Sequence, residues 1–427
     1  MNNNKNIPKL RFPEFQNDGK WKKRKFHKVG EFIGGGTPST SNPEYWNGTI
    51  QWYTPTEVKN GVLKPSLRTI TKLGLKKSSA KLLPIGTILI TTRATIGDVA
   101  ITEKECTTNQ GFQSLVVNDT EVNVFWLYWI VKFKNELIKR CSGSTFKEIG
   151  KTEIKSIPTL SPPKKEEQKK IASCLLSLDE LITAHTEKLA LLEEHKKGLM
   201  QNLFPKEGEK VPAYRFPQFR NDGEWEEKKL GDVADKEVRW SFTGGPFGSN
   251  LKAEDYTKEG IRIIQLQNIG DGEFQDSYKI YTSESKANEL ISCNIYAGEI
   301  ILSKMGDPVG RACIIPENLE RCVMASDGIR LVVDEEKYSK YFIFSLINSQ
   351  KIRQAIESKA TGSTRKRIGL NELRETELLL PKSEKEQKKI ASCLSSLDEL
   401  ITKQSKKIES LQQHKKGLMQ GLFPSDN

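Results

Sequence analysis

The side chains of this 427-residue chain that could do chemistry gather on polar loops. GGGTPSTSNPEYWNGTIQWYT at 34–54 offers Ser39, Thr40, Asn42 and Tyr45, TRATIGD at 92–98 offers Arg93 and Thr95, and SGSTFKEIG at 142–150 offers Lys147. Further on, TGGPFGSN at 243–250 holds Asn250, and QLQNIGDG at 265–272 holds Gln265, Gln267 and Asn268. SKMGDPVGR at 303–311 holds Lys304, and TGSTRKRIG at 361–369 holds Arg365, Lys366 and Arg367. Arg, Lys, Asn and Gln carry the donors and acceptors that read base edges, and hydroxyls can join them. On loops they can enter a groove while a scaffold stays rigid. The chemistry they offer is recognition of nucleic acid.

Patterns for covalent chemistry are missing from the sequence. It has no G-x-x-x-x-G-K-[ST], no Asn/Asp-Pro-Pro-Tyr/Phe and no carboxylate cluster followed by Glu-x-Lys. The glycines at 34–36 lack the spacing of a dinucleotide fingerprint. The expectation is a chain that is not an enzyme, with no catalytic residue. Four histidines and seven cysteines, at 106, 141, 174, 293, 313, 322 and 393, with no C-x-x-C pair, point to no metal site. An odd set of cysteines and an N-terminus without an apolar core suggest a reduced, cytoplasmic protein. No run approaches 18 apolar residues, so no membrane partner is expected.

Charge points the same way, unevenly. The net charge is +12. Residues 1–160 hold 25 Lys and Arg against 13 Asp and Glu, whereas residues 211–380 hold 24 against 27. The first segment therefore carries the attraction for an anionic polymer. Phosphate contact by the second has to come from local clusters such as Arg365, Lys366 and Arg367.

The elements that must position these loops are repeated. RFPEFQNDGKW at 11–21 returns as RFPQFRNDGEW at 215–225, and residues 167–205 match 386–424 at 28 of 39 positions. The second copy carries 15 extra residues, since the offset grows from 204 to 219. The order is globule, helix, globule, helix, with domains expected at 1–162, 163–205, 206–381 and 382–424. Near-identical helices alternating with unlike globules are a duplicated mount carrying different heads.

In the helices the apolar positions step by fours and threes. Ile171, Leu175, Leu178, Ile182, Leu189, Leu192, Leu199 and Leu203 form one seam. Ile390, Leu394, Leu397, Ile401, Ile408, Leu411, Leu418 and Leu422 form the other. A period of 3.5 residues predicts coiled-coil packing. A lone helix would leave its stripe exposed, so the two copies should pair, and as pseudo-twofold mates they must run antiparallel. His185 and Gln404 interrupt the seams at equivalent positions, as do Lys196 and Lys415, which suits partly solvated positions that set register. Gly198 and Gly417 fit either close approach of another helix or fraying. The globules read as mixed α and β, with strands in 87–92 and 299–304 and aromatic-faced helices at 121–139 and 337–357. The helix aromatics are expected in the core. The fold class is α+β: two pseudo-repeated recognition domains at opposite ends of an antiparallel two-helix coiled coil.

These motifs together, EQKKIA…LD, HKKGLMQxLFP, RFP(E/Q)F…W, GGTPSTSNPEYWNG, ILITTRATIGDVAI, TNQGFQSL and GSTFKEI, resemble the DNA specificity subunit of type I restriction–modification systems over essentially the full length. The resemblance implies that each globule is a target recognition domain for one half of a bipartite, asymmetric site in double-stranded DNA. The helices would set the spacing and dock two methyltransferase subunits that carry S-adenosylmethionine and methylate adenine. Two restriction subunits would bring ATP and Mg for translocation and cleavage. This chain would hold no cofactor. The apolar seam residues are thereby expected to serve both helix pairing and methyltransferase docking. On the residues alone, a solitary nuclease or methyltransferase and a coiled-coil interaction protein are the competing readings. The first lacks its motifs, and the second predicts no salt-dependent DNA binding.

Overall fold

The computed structural model describes residues 6–58, 63–142, 147–362 and 365–424. The chain forms two compact units, Met1–Glu187 with Lys406–Asn427, and Lys188–Ser405. The duplicated helices are continuous over Lys165–Leu203 and Glu384–Leu422. Each unit therefore combines one globule, the first part of its own helix and the last part of the other.

The two globules share one topology. In the first, a four-stranded antiparallel sheet runs in the order Gly30–Gly34, Gln113–Val117, Ile88–Ile90, Val99–Ile101. In the second the same order is Phe242–Gly244, Gly328–Leu331, Ile300–Ser303, Ala312–Ile314. Beside it lies a mixed sheet. Trp46–Tyr53 in the first globule pairs antiparallel with Arg68–Ile70 and parallel with Cys106–Thr108. Ile261–Ile264 in the second pairs likewise with Ile280–Thr282 and Arg321–Met324. The second mixed sheet adds edge strands Tyr256–Thr257 and Asn294–Tyr296. In the first globule the latter is reduced to one bridge between Leu83 and Cys106. The strands foreseen at 87–92 and 299–304 are the central, fully buried ones, which is why they read as continuous apolar runs. The aromatic helix foreseen at 121–139 is two helices, Asn123–Lys132 and Lys134–Lys139, and its counterpart is likewise Lys340–Ile347 and Gln350–Lys359.

The repeated motifs meet at one joint in each unit. Arg11 forms a two-pronged ion pair with Glu167, at 2.8 and 2.7 Å, and Arg215 does the same with Glu386 at the same distances. The next helix residue caps the aromatic helix: the Val122 amide donates to Gln168 Oε1 at 3.0 Å, and the Ser339 amide to Gln387 Oε1 at 3.1 Å. The far end of the opposite helix closes the joint. Phe423 packs on Trp21 and Phe125, and Phe204 packs on Trp225 and Phe342. The Leu10 amide donates to the Gly421 carbonyl at 2.9 Å, and the Tyr214 amide to that of Asn202 at 2.8 Å. Glu-Gln, Leu-Phe-Pro and Arg-Phe-Pro recur in the sequence because each is one part of a single packed assembly.

Within each unit the helix segments run antiparallel. In the first, Ile171, Ala172 and Leu175 share a core with Met419, Leu422 and Phe423, while Asp179 meets Lys415 farther along. In the second, Leu203 and Phe204 share a core with Ile390, Ala391 and Leu394, while Lys196 meets Asp398 at 2.5 Å. Every heptad position is buried or half-buried. The seam lysines carry a specific device: Tyr128 donates to Asp179 at 2.6 Å and Tyr341 donates to Asp398, so each unit holds a Tyr–Asp–Lys chain. Burial first, then the adjacent carboxylate, drives both phenol pKa values well above the usual range, so these tyrosines stay hydrogen-bond donors. A Cβ on Gly198 or Gly417 would meet nothing within 4 Å, so close helix approach among the described residues does not account for them.

Candidate nucleic-acid interface

Antiparallel pairing brings the candidate loops of each globule to one sheet edge. In the first unit Gly34 lies opposite Gln113, and Ile90 opposite Val99, so loops 35–45, 91–98 and 109–112 emerge together. Backbone bonds tie them. The Gly36 amide donates to Thr108 O and the Thr92 amide to Gly111 O, both at 2.8 Å. Gly35 is needed because a Cβ there would lie 1.9 Å from Asn109 O. The glycine run thus serves backbone packing. A bridge between Arg93 and Glu148 adds the loop that follows the aromatic helices; its tip, 143–146, lies outside the described residues.

The second unit repeats the construction with different side chains. Gly245, equivalent to Gly35, would place a Cβ 1.9 Å from Ala325 O. The Gly306 amide donates to Lys366 O at 3.1 Å, joining loop 303–311 to the basic hairpin. Beside them opens a cleft of about 200 Å³ lined by Phe247, Tyr256, Gln265, Gln267, Ser326 and Asp327, among others. Gln267 Nε2 donates to Gln265 Oε1 at 3.1 Å, and Gln265 Nε2 contacts the Tyr256 hydroxyl at 3.3 Å. Phe247 is 83% exposed at the rim. Amides, a hydroxyl and a carboxylate beside an exposed ring are groups that can hydrogen-bond base edges and contact base faces.

Individual candidates divide sharply. Ser39, Thr40, Lys147, Asn250, Gln267 and Arg365 are exposed, and Gln265 and Lys304 are half-buried. Asn268 has to be corrected: it is 0% exposed, donates to Gln275 O and Tyr278 O, and accepts from the Gln265 amide, so its amide is spent inside the fold. Asn42 Oδ1 caps the short helix Pro43–Tyr45 through the Glu44 amide, and Tyr45 packs against the Trp46–Trp52 cluster. Thr95 is half-buried, its hydroxyl 3.4 Å from Pro55 O. Three of the cations already face carboxylates: Arg93 pairs with Glu148 at 2.9 Å, Lys366 with Glu357 at 2.6 Å, and Arg367 lies 3.6 Å from Asp327. Phe247, Tyr256 and Asp327 were not singled out from the sequence; an aromatic between glycines in TGGPFGSN was the available signal for Phe247.

The seam residues are corrected in one respect. Ile171, Leu175, Ile390 and Leu394 are 0–2% exposed inside the globule cores, so they pair helices and cannot also meet a partner protein. Burial also pushes the thiols of Cys106, Cys313 and Cys322 up to about 12, so none is a thiolate near neutral pH. Among the described residues no group of three or more His, Cys, Asp or Glu could hold a metal ion, and no helix is long and apolar enough to cross a membrane.

Residues 18–194 and 222–413 match the type I restriction modification DNA specificity domain. The chain is 35% identical to the MjaIX type I specificity subunit of Methanocaldococcus jannaschii over 58% of its own length and 55% of that subunit. It is 28% identical to the MjaX specificity subunit of the same organism over 98% of this chain and 96% of that one. The crystal structure of the type I S subunit from M. genitalium shares the fold, with a TM-score of 0.62 and 18% identity over 98% of this chain and all of that one. With two matched domains, twin joints and two unlike loop edges, this chain belongs to the DNA specificity family of type I restriction–modification systems and is a specificity subunit rather than the enzyme.

Proposed function

We propose that this subunit reads a bipartite, asymmetric site in double-stranded DNA, one half with each globule, and so directs adenine methylation and the restriction of unmodified DNA. In this reading 1–162 and 206–381 are the recognition domains, and 163–205 and 382–424 are the spacer helices, which pair antiparallel. The observation that carries it is the contrast between mount and head. The Arg–Glu joint, the Gln cap and the Tyr–Asp–Lys chain are repeated, while the loops that each mount presents differ. Ser39, Thr40 and Lys147 serve the first half-site, and Asn250, Gln265, Gln267, Lys304 and Arg365 the second.

A helix surface present twice offers one docking site twice, so two copies of one methyltransferase subunit should bind. Two restriction subunits complete the complex. S-adenosylmethionine, ATP and Mg belong to those partners, and the assembly works in the cytoplasm. Native mass spectrometry of the chain co-expressed with its methyltransferase tests the stoichiometry. Two methyltransferases per chain is the expected mass, and a single one would refute the twin docking sites. Duplex affinity should fall steeply with salt. Salt-insensitive binding would instead favour a coiled-coil interaction protein without a DNA role.

A further inference from the structure

The two globules differ by a charge reversal at one structurally equivalent pair. In the first unit Lys134 bonds Asp98 at 2.5 Å, tying the aromatic-helix region to loop 91–98. Asp98 precedes strand Val99–Ile101, its carbonyl accepts from the Thr91 amide, and its own amide donates to Thr91 Oγ1. In the second unit Arg311 precedes strand Ala312–Ile314, its carbonyl accepts from the Ser303 amide, and its own amide donates to Ser303 Oγ. Arg311 therefore stands where Asp98 stands. Arg353 stands where Lys134 stands, since both share the 219-residue offset of the following hairpin. The positions that hold an ion pair in one globule hold two arginines in the other.

The pair is poorly compensated. Arg353 Nη1 and Nη2 and Arg311 Nε are buried without a hydrogen-bond partner. The nearest carboxylate to Arg353 is Asp271, at 3.5 Å and 66% exposed. Glu357, one turn along the same helix, is engaged by Lys366 at 2.6 Å. Burial first, then the charge of Arg311, lowers the Arg353 pKa against the opposing pull of Asp271 and Glu357. Both arginines are half-buried, so rotation of their side chains would bring these unused donors out to a multivalent oxyanion, whose geometry Arg forks match.

We infer that Arg311 and Arg353 form a phosphate clamp that grips the DNA backbone at the second half-site. It rests on the DNA-reading function proposed above, and it supplies the acidic globule with a backbone contact that its bulk charge does not.

The test is duplex binding by the full-length chain with its methyltransferase, measured against salt concentration. Arg353→Gln should weaken binding to every sequence alike and flatten the slope of log affinity against log salt by about 0.9, the value of one phosphate. Lys340→Gln removes the same charge from a lysine paired with Glu335 at 2.9 Å and should leave the slope alone. Arg311→Asp recreates the ion pair of the first globule, so it should keep the melting temperature while losing affinity. If Arg353→Gln and Arg311→Asp fold and bind with the wild-type slope, the clamp is wrong and the recognition function stands. If wild type itself shows no salt dependence, the recognition function fails first. Thermal stabilisation by inorganic phosphate with no effect of Arg353→Gln on DNA binding would mark a free-anion site and also overturn the clamp.

Discussion

The joint between Arg215 and Glu386 should be the most sensitive polar contact in the second unit. Their side chains are 6% and 1% exposed, and the two prongs measure 2.8 and 2.7 Å. Glu386→Ala leaves a buried guanidinium whose remaining bond is to Gly223 O at 2.6 Å. Removing one partner of a buried pair costs about 3–5 kcal/mol. The surviving bond favours the lower end, about 3 kcal/mol, which lowers the melting temperature of a unit this size by about 6–12 °C. The double replacement Arg215→Met with Glu386→Leu should recover most of that loss, because an apolar pair removes both desolvation penalties. Glu384→Ala, which breaks only an exposed pair with Lys388, should stay within about 0.5 kcal/mol. Scanning calorimetry on the full chain measures all three. A loss under about 1 kcal/mol for Glu386→Ala, or no recovery in the double variant, would refute the reasoning that this pair locks helix to globule.

Four residues inserted near Thr183 lengthen the first helix by about 6 Å. The expected outcome by methylome sequencing is an unread gap one or two base pairs longer, with unchanged half-site bases. The Leu10–Gly421 bond places the end of the second helix beside the start of the first globule, so a chain closed there and reopened near residues 206–212 should keep its fold by circular dichroism and its DNA recognition in a binding assay. Neutralising Arg365, Lys366 and Arg367 together should flatten the salt slope by about 0.9, the value of one phosphate rather than three. Lys366 and Arg367 already face Glu357 and Asp327, leaving Arg365 as the main contributor.

What the sequence disclosed was whatever repeated or had a period. The heptads foretold the buried seam, and the apolar runs around Ile88–Ile90 and Ile300–Ser303 foretold the central strands. Conditions set by distant neighbours were not legible. Asn268 looks in sequence like a base-reading amide, yet its amide closes a loop through Gln275 and Tyr278. Lys196 and Lys415 looked like solvated interruptions because their partners, Asp398 and Asp179, lie outside the seam on the other helix. Strand Trp46–Tyr53 begins three residues before its alternation shows, since its register shifts between Trp46 and Ile50. Asp98 and Arg311 became comparable only through the shared hydrogen bonds around their strands.

The most direct measurement of the central claim is methylome sequencing of cells that carry the methyltransferase with a chimera in which residues 22–150 come from another specificity subunit. Both Arg–Glu joints and both long helices remain intact in such a chimera. One half of the methylated motif should change, while the other half and the gap between them keep their bases and length. A motif altered in both halves, or in neither, would contradict the assignment of one half-site to each globule.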